Sequence, residues 1–315
     1  MALIRYFPIE PKIDFLGRRK LFLAFSAFIV LGSLALFAAR GLNLGVDFRG
    51  GTLIEIKTNA PADLADLRRR LGALNLGEVT LQEFGADTDV LINVQRQEGD
   101  EAAQVRAINA IKEELGGLVA EYRRTEFVGP KVGEELKIAG TLATGLALLG
   151  IAVYVWFRFE WQFALAGLVA LLHDVIAAIG FFALTQIEFN LATLAAVLTI
   201  AGYSINDTVV IFDRVRETLR KYKKLPLFEL LNMATNATLS RTTLTSVSTL
   251  IALIALASFG GEVIRGFTLG LIWGIVVGTF SSIGLAVPLL SFMDLRAGLS
   301  RATADSKAGE ATTPK

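Results

Sequence analysis

A carboxylate stands inside an otherwise apolar stretch. The segment LATLAAVLTIAGYSINDTVVIF (191–212) is interrupted by Asn206 and Asp207, about five residues, or about 7 Å along a helix, from the charged pair Asp213 and Arg214. An ionised group at that depth in a bilayer costs free energy unless it is paired or hydrated, so such residues face a bundle interior or a water path. Arg241 opens the next apolar stretch from the same side and is the evident partner. Ser204, Thr208, Ser240, Thr242 and Thr243 supply hydroxyls nearby, and Asn206 an amide. Two readings fit these residues: a static ion pair at the membrane edge, or a proton or ion site. A second constellation, His173 and Asp174 in LLHDVIAAIG, lies deeper. Its burial opposes charge while the mutual attraction favours it, which suits either proton exchange or a hydrogen-bonded pair tying two spans together. Asp213 and Glu217, one turn apart beside Arg214 and Arg216, read as a solvated helix end.

The elements that must position these groups follow from composition. The 315 residues are 53% hydrophobic and 19% charged, with a mean hydropathy of +0.54, which places the chain among integral membrane proteins. Apolar runs of roughly 20 residues predict six membrane helices at 21–39, 136–157, 162–184, 191–212, 243–260 and 267–292. The first follows Arg18, Arg19 and Lys20 but is longer than a signal-peptide core and lacks a clean cleavage site, so an uncleaved anchor is expected. Arg and Lys crowd GRRK before the first span and a basic cytoplasmic loop at 213–241, whereas TQIEFN (185–190) carries neither. That asymmetry puts both termini in the cytoplasm. With no Cys and one His, disulfides and Cys/His metal sites drop out; a net charge of +1 gives no reason for a nucleic-acid partner. No nucleophile with a base, metal set or cofactor loop is apparent, so neither an enzyme nor a cofactor is expected.

Orientation assigns 1–40 to a cytoplasmic N-terminus and first helix, 41–135 to a periplasmic domain, 136–295 to the remaining helices and 296–315 to a disordered cytoplasmic tail. Within 41–135, strand-like alternation at 52–57, 79–84, 90–94 and 118–127 and helical spacing at 62–74 and 101–115 give the order βαββαβ, for which a ferredoxin-like fold is natural. Gly50 and Gly51 before the first strand read as turn residues rather than an anion site. In the last span Gly266, Gly270, Gly274 and Gly278 recur every four residues, forming a ridge that allows close approach of another helix. The ridge serves either tight packing within this chain's own bundle, or a partner's helix, or a surface that slides during a conformational change.

Five stretches carry a resemblance: GVDFRGG (45–51), with Asp47, Arg49, Gly50 and Gly51; VGPKVGEEL (128–136), with Gly129 and Pro130; LLHDV (171–175); GYSINDTVVIFDRVRE (202–217); and NATLSRTTLTS (236–246). In this order around one external domain, they resemble the SecF family of bacterial protein-export membrane subunits, of the resistance-nodulation-division class. The resemblance implies pairing with SecD into a pseudo-symmetric twelve-helix unit in the inner membrane. That unit would work beside the Sec translocation channel on unfolded preproteins, driven by the proton motive force. It also implies that Asp207 and Arg241 take part in proton transport, opposite an Asp from SecD, with Asn206 and Ser204 holding the carboxylate in place. Two other functions are open to such a chain. A half-size proton-driven efflux transporter would use similar membrane carboxylates, whereas a passive scaffold would need no buried charge.

Overall fold

Six helices in this computed structural model are long and apolar enough to cross a membrane. The structure describes residues 11–296 apart from 78, 98, 100, 262 and 263, so the tail expected to be disordered lies, beyond its first residue Arg296, outside the described residues. Helix α1 (Arg19–Arg40) leads into a short helix α2 (Val46–Arg49) and then into the α+β domain: β1 (Gly51–Thr58), α3 (Leu64–Ala73), β2 (Val79–Phe84), β3 (Ala86–Val94), α4 (Glu101–Leu115) and β4 (Val119–Val128). The remaining spans are α5 (Pro130–Arg158), α6 (Trp161–Thr185), α7 (Leu191–Lys221), α8 (Leu227–Phe259) and α9 (Arg265–Ser281), the last continued by a π-helical turn (Ser282–Ala286) and α10 (Val287–Leu290).

The four strands pair antiparallel in the order β2-β3-β1-β4, the ferredoxin-like arrangement expected from βαββαβ. Ile54, Ile56, Val90 and Ile92 on one face bury against Leu67 and Leu71 of α3 and Ile111 and Leu115 of α4. Leu53 and Leu91 on the other face meet Val46 of α2. Both sheet faces are thus covered at β1, and the second covering comes from the polypeptide leaving the first span. Gly50 (φ 71°) and Gly51 (φ 129°) make that turn in a region closed to side chains, and a Cβ at Gly51 would stand 2.6 Å from the Val94 carbonyl oxygen. This is the turn role expected of the pair.

Two helices run further than their apolar runs. The basic stretch expected as a loop at 213–241 is helical except at 222–226, because α7 continues to Lys221 and α8 begins at Leu227. Hydropathy marks where a helix is apolar, not where it ends. The polar turns of α7 and α8 continue as helix and pack on each other and on residues 11–18, where Asn232 and Asn236 hold the Ile13, Phe15 and Leu16 amides. Arg241 consequently lies fourteen residues into α8, about 21 Å from its start, rather than at its opening.

The bundle divides into an inner and an outer set. Half or more of the most apolar stretch is buried in α6 (56%), α7 (50%) and α9 with its continuation (67%), against 11% in α1, 11% in α5 and 17% in α8. The glycine ridge of α9 is spent inside this chain. A Cβ at Gly266 would come within 2.9 Å of Ile187, at Gly270 within 2.7 Å of Phe182 and at Gly278 within 3.1 Å of Ser204, and at Gly274 it would overlap Ile200. Below the ridge, Pro288 has no N–H to donate and crowds the carbonyl four residues earlier, at Gly284, where the π turn opens the helix.

Candidate functional site

Where α6, α7 and α9 meet, their polar side chains form one buried knot. His173 and Asp174 are 3% and 1% exposed, and His173 Nδ1 lies 2.8 Å from Asp174 Oδ1. The other carboxylate oxygen accepts from Ser281 Oγ of α9 at 2.6 Å and from Ser204 Oγ of α7. Asp174 therefore joins three helices through one carboxylate. One turn along α7, the Thr208 and Ser282 hydroxyls are 2.9 Å apart, so α7 also holds the first residue of the π turn. A further hydroxyl pair, Ser246 and Thr279 at 2.7 Å, ties α8 to α9. A hydrogen bond in a membrane interior has no water to replace it, and each such link contributes roughly 0.6–2 kcal/mol.

Asp207 lies beside this knot but is not fastened into it. It is 4% exposed, and its Oδ2 has no hydrogen-bond partner among the described residues. Nor does Arg241 supply one. That residue is on the exposed side of α8 and makes no ion pair within 4.0 Å of Asp207 among the described residues. The closed Asp207–Arg241 pair expected from sequence is thus open here, and Arg241 reaches Asp207 only through space. The sequence expectation that Ser204 and Asn206 steady Asp207 is also corrected. Ser204 is committed to Asp174, and Asn206 is exposed, pointing away from a neighbour whose side chain is turned about 100° around the helix. Thr242, next to Arg241, is buried, and its hydroxyl has no hydrogen-bond partner among the described residues.

The arrangement has two chemical parts. Asp174 has partners on both oxygens, Ser204 and Ser281 on one and His173 on the other, and is suited to fixing geometry. Asp207 is a buried carboxylate with an empty acceptor position, suited to taking and releasing a proton or a partner's charge. Among the described residues, no group of three or more His, Asp or Glu side chains could hold a metal ion. Asp213 lies outside the knot, 43% exposed, with Arg158 2.7 Å away and Arg216 at 3.8 Å; because α7 runs on to Lys221, it sits within the helix rather than at the helix end expected from sequence.

Sequence reasoning passed over two groups. Ser281 and Ser282 complete the knot from α9; the visible signal was a Ser-Ser pair six residues before a proline inside an apolar run. Glu188, in the α6–α7 connection, is half-buried at the junction between the sheet and the bundle. Burial chiefly, then the neighbouring Asp47 carboxylate, raises its pKa above the usual glutamate value. The family-motif residues gather at the same junction. Asp47 Oδ2 accepts from the Leu191 amide at 2.9 Å, Arg49 ends α2, and Gly129 and Pro130 start α5, whose Gly133 would bring a Cβ within 3.1 Å of the Gly50 nitrogen.

Comparison with known proteins places this geometry in a family. Residues 107–296 match the model of the protein export membrane protein SecD/SecF C-terminal region, and residues 35–62 match the SecD/SecF GG motif. A protein translocase subunit SecF from Rickettsia bellii is 45% identical over 91% of this chain and 95% of its own length. The SecF of Cereibacter sphaeroides is 43% identical over 96% of this chain and 95% of its own. The crystal structure of SecDF, a translocon-associated membrane protein from Thermus thermophilus, superposes with a TM-score of 0.83 at 33% identity, covering 90% of this chain and 39% of that one. A second SecDF crystal structure, in a super-membrane-facing form, gives a TM-score of 0.67 at 31% identity over 96% of this chain and 41% of that one. With a family model spanning more than half of its residues and SecF relatives matched along nearly their whole length, the chain belongs to the SecF family of multi-pass inner-membrane protein translocase subunits.

Proposed function

We propose that this chain, paired with SecD, couples proton flow across the membrane to preprotein movement on the periplasmic side, with Asp207 as the titrating group. Membership of the SecF family supports the export role, and the likeness to SecDF supports the partnership. The observation that carries the proton role is the open acceptor position on buried Asp207, beside a knot whose other carboxylate has partners on both oxygens. When ionised, Asp207 attracts the Arg241 guanidinium and whatever charge the partner presents; when protonated, it releases them. Each proton crossing contributes about 2.3 kcal/mol per 100 mV, enough to shift a helix arrangement whose two states differ by a few kcal/mol. Both termini are cytoplasmic on this reading, and the α+β domain faces the periplasm. The preprotein would leave the translocation channel on that side.

Asp207→Asn tests it, because the substitution removes the titratable proton and almost preserves shape. In inverted vesicles containing the partner at matched levels, preprotein translocation is measured with and without a proton gradient. The expected result is loss of the gradient-dependent increment with assembly intact. A full increment in the variant makes Asp207 a packing residue and ends the proposal.

A further inference from the structure

The GVDFRGG segment does more in this structure than turn the chain. Three sets of contacts fasten residues 43–48 to the α6–α7 connection and the first turn of α7, the helix that carries Asp207. The first is backbone pairing: Leu44 and Phe189 form a parallel bridge, with the Gly45 amide donating to the Phe189 carbonyl at 2.9 Å and the Phe189 amide to the Asn43 carbonyl at 2.7 Å. The second is polar. The Asn43 side-chain amide donates to the Gln186 carbonyl at 3.0 Å, and Asp47 Oδ2 accepts the amide of Leu191, the first residue of α7. Helix N-termini leave their first N–H groups unsatisfied and carry partial positive charge, so a carboxylate there satisfies both needs. Asn190 already caps the helix from within by accepting from the Thr193 amide, so Asp47 is a second cap delivered from another element. The third is apolar, with Phe48 stacked on Phe189 at 6.1 Å and sharing a cluster with Leu194.

The same residues grip the sheet. Three positions after Asp47 the chain passes through Gly50 into β1, a central strand, and Val46 packs under Leu53 and Leu91. Asn93 of β3 hydrogen-bonds Glu188, whose carboxylate lies over Gly45 where a Cβ would collide with it.

We infer that residues 43–50 are a rigid coupling clasp, in which Asp47 is the positioning residue that makes the outer end of α7 and the first strand of the external domain move as one body. Displacement of α7 at Asp207 then carries the sheet with it, without a hinge between them. The inference rests on the proton-driven reading for what moves α7, but the rigidity itself is independent of that reading.

Two measurements separate the outcomes. In the assembled complex, spin labels on cysteines at Arg68 in α3 and Ala192 in α7, in a chain with no native cysteine, are expected to give one narrow distance distribution. Asp47→Ala is expected to broaden it, and Asp47→Asn, whose amide oxygen still accepts from Leu191, to leave it narrow. In vesicles, Asp47→Ala is expected to lose at least half of the gradient-dependent increment while translocation without a gradient is unchanged, and Asp47→Asn to restore most of it. A Leu44→Cys/Phe189→Cys pair is then oxidised with a membrane-permeant oxidant, its reduced form serving as the packing control. A clasp that stays closed throughout the cycle retains the increment after oxidation. A narrow distribution in Asp47→Ala, or an increment abolished by the crosslink, overturns the clasp. Retention of the increment by Asp207→Asn overturns the proton reading instead, and the distance distributions then decide the clasp alone.

Discussion

The inner helices α6, α7 and α9 and the outer helices α1, α5 and α8 are similarly apolar yet differ in what surrounds them. The inner three hold His173, Asp174, Ser204, Asp207, Thr208, Ser281 and Ser282 away from lipid, and a ridge of glycines lets two of them touch. The outer three present Phe28, Leu31, Leu142, Leu146, Leu244 and Ile251 outward. Apolarity alone therefore says only that a helix is in the membrane. Small and hydroxyl-bearing residues say which helices touch one another, because without water to expel, close packing and interhelical hydrogen bonds must hold the bundle together. Arg241 belongs to the outer set by position and to the inner set by chemistry, which makes it the natural point of contact with something outside this chain.

The sharpest way to break the inner set is to refill its ridge. Gly274→Leu drives a branched side chain into Ile200 and is expected to cost about 3 kcal/mol or more, since overpacking a close contact moves backbone as well as side chains. Thermal unfolding of the purified protein in detergent measures it; an unchanged midpoint would mean that α9 can slide away from α7 freely. Asp174→Ala comes next. It strips one carboxylate from His173, Ser204 and Ser281 together and is expected to cost about 1–3 kcal/mol by the same measurement. Should Asp174→Ala unfold like the parent while abolishing export, the knot would be a working proton site and not a fastening.

Arg241→Met probes the boundary between the two sets. Because Arg241 is exposed and unpaired with Asp207 in this structure, stability in detergent should change by less than about 0.5 kcal/mol, while the gradient-dependent export increment falls severely. Arg241→Lys should fall less, keeping charge but losing the planar multi-donor head. A large stability loss would show that the ion pair closes in solution.

Much of this was legible in the sequence. The six spans and the βαββαβ order came from periodicity, because burial imposes a period of two on strands and an unbroken apolar length on membrane helices. The depth of Arg241 was not legible, since the polar turns of α8 look like loop in a hydropathy reading. Ser204 was assigned to the wrong carboxylate because Asp207 is nearer in sequence; Asp174 is thirty residues away and becomes its neighbour only when α6 packs on α7. The attachment of Asp47 to Leu191 spans 144 positions and has no local signature at all.

The smallest expected effect extends the comparison to the junction above the inner helices. Glu188 has its pKa raised chiefly by burial and then by Asp47 of α2; from β4, Arg124 acts the other way and Glu126 adds to the rise, and the Asn93 side chain of β3 hydrogen-bonds it. A carboxyl with a raised pKa in the folded state stabilises the junction below its ordinary value, and this contribution is lost as pH rises through the raised one. Acidification should therefore tighten the contact between residues 43–47 and the α6–α7 connection. Glu188→Gln, neutral at every pH, should remove that dependence while keeping a hydrogen-bonding group beside Asn93. Hydrogen exchange at the Gly45 and Phe189 amides, compared between parent and variant from about pH 5 to about pH 8 after correction for intrinsic exchange, reads it directly. Protection in the parent should decline relative to the variant as pH rises. Equal protection across the range would show that Glu188 is only packed against Gly45 and that the junction does not sense the proton gradient its helices are proposed to use.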